Sequence, residues 1–208
     1  MKKLMSLMLS AAMIIAMASL AMAADYSSST SGASGSSGFS GTPAVVSSSS
    51  VTQATTAGGS VKVTENAVIT ENVVQSIAKA TQPVTFTAPN YTATINPATI
   101  TTAQNISLGA LPANPAVESV FGQYFTNNFA SVQLAQQGAF GATVQFTITP
   151  TNLGKLNTAT LQFFSYNPAT NSYSRVTTPY TVNANGSLTF STTVGNTIII
   201  TDGPITAK

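Results

Sequence analysis

Four carboxylates beyond residue 60, Glu65, Glu71, Glu118 and Asp202, are the groups from which an acid–base pair would have to be drawn. Two carboxyl groups flanking a glycosidic bond can hydrolyse it. Each of the four also has a simpler role. Glu71 falls in the first turn of a predicted helix, where negative charge suits the helix dipole. Glu65 reads as a solvated strand residue, Glu118 lies in an irregular stretch, and Asp202 opens an Asp-Gly turn. A nucleophilic serine needs a base, yet the chain has no His. It has no Gly-x-Ser-x-Gly elbow, and no spacing couples a serine to Lys62, Lys79 or Lys155. Cys is absent as well, which removes the thiol nucleophile and a common metal ligand. No Asp-x-Asp-x-Asp run offers a Ca²⁺ loop. The expectation is a protein that is not an enzyme. It has no catalytic, cofactor-binding or metal residues and requires no cofactor.

Aromatic side chains are the remaining chemistry. Tyr124 and Phe125, near Phe129, cluster in the irregular stretch, while Tyr166 and Tyr173 flank a predicted hairpin. Rings of this kind stack on sugars, and the many Asn and Gln side chains suit hydroxyl recognition. Tyr124, Phe125, Tyr166 and Tyr173 are therefore the candidate ligand contacts, against the competing reading of ordinary core packing. Phe163 and Phe164 are successive on a strand and must face opposite ways. One further candidate is covalent. Lys62 on the first strand of the body and Asn196 before the last suit the topology of a Lys–Asn isopeptide pair, against the competing reading of a solvated Lys and a turn Asn.

The elements that position these residues are mostly strands. Val84–Ala88, Tyr91–Ile95 and Val144–Ile148 alternate apolar and polar residues, the period of a half-buried strand. Val61–Thr64, Ile106–Leu108 and Ala130–Leu134 read as shorter ones. The last third is a meander in which 160–166 pairs with 172–177 across Asn167–Asn171. Residues 179–182 pair with 188–192 across Asn185-Gly186, a type I′ signal. Thr197–Thr201 is a β-branched run suited to burial on both faces. One short helix is predicted over about 70–80. Thr70 is its cap, Val73, Val74, Ile77 and Ala78 form its apolar face, and Pro83 lies beyond its end. Residues 111–129 read as irregular, a candidate binding loop. The fold expected is mostly β: an antiparallel β-sandwich with one short helix, preceded by a disordered Ser/Gly-rich linker.

Lys2 and Lys3, an uncharged apolar run and Ala21-Met22-Ala23 make residues 1–23 a signal peptide. Residues 24–60 are rich in Ser, Gly and Thr and read as a linker. Residues 61–208 form the sandwich domain. Removing Lys2 and Lys3 from seven basic residues leaves five against five acidic ones, so the exported chain is neutral. Such a surface lacks the basic footprint of a nucleic-acid partner. No second apolar segment spans a membrane.

Three stretches carry a resemblance. They are Leu161-Gln-Phe-Phe-Ser-Tyr-Asn-Pro-Ala-Thr-Asn-Ser-Tyr, Val182-Asn-Ala-Asn-Gly-Ser-Leu-Thr-Phe and Ile198-Ile-Ile-Thr-Asp-Gly-Pro. Over about residues 140–205 the chain resembles the β-rich tail module of secreted and cell-surface proteins of clostridia-like bacteria. The resemblance implies an extracellular envelope or matrix context and no activity. The functional expectation is a secreted, extracellular or cell-surface protein, non-catalytic and structural or adhesive. Its partners would be polysaccharide, envelope or matrix proteins, or further copies of itself through sheet edges. The alternative is a carbohydrate-binding module.

Overall fold

Alternating side chains become strands wherever one face can be buried. The computed structural model describes Phe39 and residues 42–57, 59–167, 170 and 172–208. Residues 1–23, read above as a signal peptide, most of the segment read as a linker up to residue 41, and Gly58, Pro168, Ala169 and Asn171 lie outside the described residues. In chain order the first elements are β1 (Ala44–Val45), α1 (Ser48–Ala57), β2 (Ser60–Lys62), β3 (Ala67–Ile69) and α2 (Glu71–Ala78). Then come β4 (Val84–Thr87), β5 (Tyr91–Ile95), β6 (Ile106–Ser107), β7 (Ala110–Leu111) and α3 (Pro115–Tyr124). The rest is β8 (Phe129–Leu134), β9 (Ala139–Ile148), β10 (Gln162–Asn167), β11 (Ser172–Val176), β12 (Tyr180–Val182), β13 (Leu188–Val194) and β14 (Thr197–Thr201).

The strands form a six-stranded sheet ordered β12-β13-β9-β5-β4-β2, a five-stranded sheet β11-β10-β14-β8-β7 and a three-stranded sheet β1-β3-β6. The chain is mostly β, as expected, but its sheets are not all antiparallel. β1 pairs with β3, and β2 with β4, in parallel. The main core is filled from several elements, among them Phe86, Ile95, Phe146 and Phe190 of the six-stranded sheet and Phe163, Ile198 and Ile200 of the five-stranded one.

Three α-helices stand among the described residues where one was expected. α1 occupies a segment whose composition reads as linker. Ser and Thr are poor helix formers, and Thr52, Thr55 and Thr56 turn their hydroxyls back onto backbone carbonyls of their own helix. Burial overrides that propensity: Val51 and Ala54 of the helix enter the main core, beside Val46 just before it. α2 is the predicted helix and buries Val73, Val74 and Ile77, while Ala78 is exposed. Thr70 sits at its N-cap without a side-chain bond. The cap comes instead from Asn105, whose Oδ1 accepts the Glu71 N–H at 2.8 Å. α3 replaces most of the irregular stretch.

The Asn185-Gly186 hairpin also differs from the expectation. Type I′ needs positive φ at both central residues. Gly186 has φ +81°, whereas Asn185 is not among the positive-φ residues. Gly186 N–H bonds Asn183 O at 2.9 Å, and Asn183 N–H bonds Ser187 O at 2.8 Å. This is a four-residue turn closed by a left-handed glycine. Asn185 instead spends its Oδ1 on the N–H and hydroxyl of Ser187.

Gly195 is required by close approach. Its backbone lies against the Gln136 carbonyl, where a Cβ would collide. Asn196 N–H donates to that same carbonyl at 2.7 Å. Buried Gln136 uses its side chain too, accepting from Ser107 N–H at 2.9 Å and donating to Ala139 O at 3.1 Å. One residue thereby ties the three-stranded sheet to the turns before β9 and β14.

Candidate functional site: an aromatic cluster beneath helix α3

Asn114-Pro115 starts α3. The Asn114 side chain accepts the Val117 N–H at 3.2 Å, and proline occupies the first turn, where its missing N–H costs nothing. The helix lies over the side of β14 and β10 that faces away from the main core. Val117, Phe121, Phe164 and Ile199 form a second, smaller core there. Fully buried Phe121 is its centre, with ring centroids 4.6 Å from Phe125, 4.7 Å from Phe129 and 5.6 Å from Tyr173.

Three of the four candidate contact residues meet in this cluster. Phe125 and Tyr173 are 5.9 Å apart and nearly perpendicular, at 83°. Tyr166 and Tyr173, direct register partners on β10 and β11, are 4.9 Å apart at 36°. Tyr124 lies outside the cluster, half-buried. Its carbonyl accepts the Lys208 N–H at 2.9 Å. The rings therefore pack as a core does, edge to face in the Phe121–Phe129, Phe121–Tyr173 and Phe125–Tyr173 pairs and tilted in the Phe121–Phe125 and Tyr166–Tyr173 pairs. They do not form the coplanar row that stacks along a sugar chain.

The C-terminal segment closes over this core. Asn127 Nδ2 donates to Pro204 O at 2.9 Å, and its Oδ1 accepts Thr206 N–H at 2.8 Å. The Lys208 ammonium donates to Gly122 O in the last turn of α3, where positive charge suits the helix dipole. Tyr173 Oη is buried and has no hydrogen-bond partner among the described residues. Burial, and next to it the neighbouring Tyr166, push the Tyr173 hydroxyl up to about 12. Burial raises Tyr166 as well.

The acids are dispersed among structural tasks. Ser131 Oγ donates to Glu118 Oε1 at 2.8 Å and accepts Asn114 N–H at 2.7 Å, while Asn114 Nδ2 donates to Thr197 Oγ1 at 2.8 Å. This network fastens the start of α3 to β8 and β14. Its one signal in the sequence is Asn114-Pro115, which reads as cap and first turn. Glu65 accepts from Asn90 Nδ2. Burial first, and the Glu65 charge second, raise the Tyr91 hydroxyl pKa. Glu71 accepts from Gln75, and Asp202 from the Asn157 N–H. No group of three His, Cys, Asp or Glu residues is placed to hold a metal among the described residues.

Lys62 and Asn196 are not brought together. Lys62 is exposed on β2, the edge strand of the six-stranded sheet. Asn196 has φ +75° in the turn between β13 and β14 and holds Gly138 N–H through its Oδ1 at 3.4 Å. Strands β9, β5 and β4 stand between β13 and β2. No known protein-family model matches this chain, and no curated protein matches it.

Proposed function

We propose that this is a secreted, non-catalytic structural or adhesive protein of the cell surface or matrix. One observation carries the reading: the groups that the sequence offers for chemistry hold the fold together. Phe125, Tyr166 and Tyr173 pack around Phe121, and Glu65, Glu71, Glu118 and Asp202 bond four separate structural partners. Its body is a β-sandwich, supported by ring contacts across the main core. Phe163 of β10 lies 5.8 Å from Phe190 of β13 and 5.3 Å from Tyr180 of β12. A neutral, charge-poor surface and the resemblance to an extracellular tail module support the placement outside the cell. Among the described residues no helix is long and apolar enough to cross a membrane.

The test is sedimentation of the protein with isolated cell envelopes, beside light scattering and a glycan array. Saturable association with envelopes, with a glycan or with itself is the expected result. A protein that stays monomeric, binds none of these and turns over a substrate would end the reading.

A further inference from the structure

The six-stranded sheet has one apolar face and one hydroxyl face. Along each strand the inward residues, such as Phe86, Ala93, Phe146 and Phe190, are buried. Their outward neighbours are almost all threonine or serine. Pairing register aligns them across strands. Thr181 stands opposite Thr189, Thr189 opposite Thr147, Thr147 opposite Thr92 and Thr92 opposite Thr87. Five consecutive strands thus contribute one threonine each to a single rank, which ends at Lys62 on β2. The next rank, two residues along, is Ser191, Gln145, Thr94, Thr85 and Ser60. All of these side chains are half-buried or exposed.

We propose that this face binds a neutral polysaccharide chain laid along the threonine rank. The proposal rests on the adhesive reading and names its partner. Lys62 is the one charged residue of the two ranks, which matches an uncharged ligand. A threonine hydroxyl donates and accepts, as a sugar hydroxyl does, and its methyl offers contact to the apolar face of a pyranose ring. The array is preorganised. Thr147 and Thr189 hydroxyls bond each other at 2.8 Å, those of Thr85 and Thr94 at 3.0 Å, and β-branching holds χ1. Thr87, Thr92 and Thr181 make no side-chain hydrogen bond within the described residues, so their hydroxyls remain open to a ligand. Four strand intervals give a rank of about 19 Å, the reach of several linked sugar rings. Sheet twist turns successive strands, so a flexible polymer follows the rank where a rigid crystal face would not.

The test is affinity electrophoresis of the protein in gels carrying a neutral β-glucan, a neutral mannan or anionic polygalacturonate. At least one neutral polymer should retard it saturably. Joint T92V and T147V substitution keeps shape and strand preference but removes two hydroxyls, and should weaken binding by about tenfold. Joint T92S and T147S substitution restores the hydroxyls and should recover most of it. Circular dichroism confirms that each variant is folded. Retardation by polygalacturonate alone, or undiminished binding by the valine variant, would overturn the proposal. Binding that is lost instead in Y166A moves the site to the aromatic cluster and leaves the adhesive reading standing. If no polysaccharide binds while envelope sedimentation persists, the threonine face is rejected and the adhesive reading survives. If envelope sedimentation and self-association also fail, both fall.

Discussion

Phe163 and Phe164 are neighbours in sequence and belong to different cores. Phe163 faces Phe190 and Tyr180 across the main core, whereas Phe164 turns the other way and packs with Val117, Phe121 and Ile199 under α3. β14 divides in the same manner, with Ile198 and Ile200 in the main core and Ile199 in the second. The five-stranded sheet is thus covered on both sides, which is why every residue of β14 is buried.

The division makes the two phenylalanines separable. Each truncation to alanine should cost roughly 3–5 kcal/mol by denaturant unfolding. Phe164→Ala should also loosen α3 and residues 202–208 selectively, read as faster amide exchange there. Equal exchange in the two variants would mean that the second core has no independent stability.

Gly195→Ala places a methyl against the Gln136 carbonyl and should lower stability by about 1–3 kcal/mol. Gly154 has open space around its Cβ position, so Gly154→Ala should change the thermal midpoint little. A Gly195→Ala variant as stable as Gly154→Ala would contradict the close approach.

Tyr173→Phe should leave stability unchanged or raise it by up to about 1–3 kcal/mol, because it removes a buried hydroxyl that has no partner among the described residues. The pH dependence has a definite sign. Tyr173 titrates near 10 when unfolded and at about 12 when folded. In that window the native state holds more protons, so stability is complete below pH 10 and falls as pH rises toward 12. Tyr91, also raised, adds to the fall. Unfolding followed across this range should show a shallower decline in Tyr173→Phe than in the parent protein; an unchanged slope would rule out the Tyr173 contribution.

Removing α1 should be costly even though its composition resembles a tether. Val51→Ala alone should destabilise by about 1–2 kcal/mol from lost burial. A chain beginning at residue 61 loses Val46, Val51 and Ala54 from the core together, and should unfold at distinctly lower denaturant. Coincident unfolding curves for the two lengths would show that α1 contributes nothing.

Asn114→Ala removes a helix cap and the bond to Thr197 at once. A loss of about 1–2 kcal/mol is expected, concentrated in α3 by amide exchange. If the loss is global and α3 exchange is unaltered, the network does not anchor the helix.

What the sequence determined alone is local. The period-two runs of β4, β5 and β9, the buried run of β14, helix α2 and the two C-terminal hairpins follow from side-chain spacing and turn residues, and all are present. What tertiary structure decided depends on residues far apart in the chain. A Ser/Thr-rich segment becomes α1 because the core beneath it accepts Val51 and Ala54. Residues 115–124 become a helix because Phe121 finds Phe164, Ile199 and Tyr173. Alternation alone says that Thr87, Thr92, Thr147, Thr181 and Thr189 face outward. Only strand pairing sets them in one rank, because register is fixed by long-range backbone bonds and by the fit of the opposite, buried face.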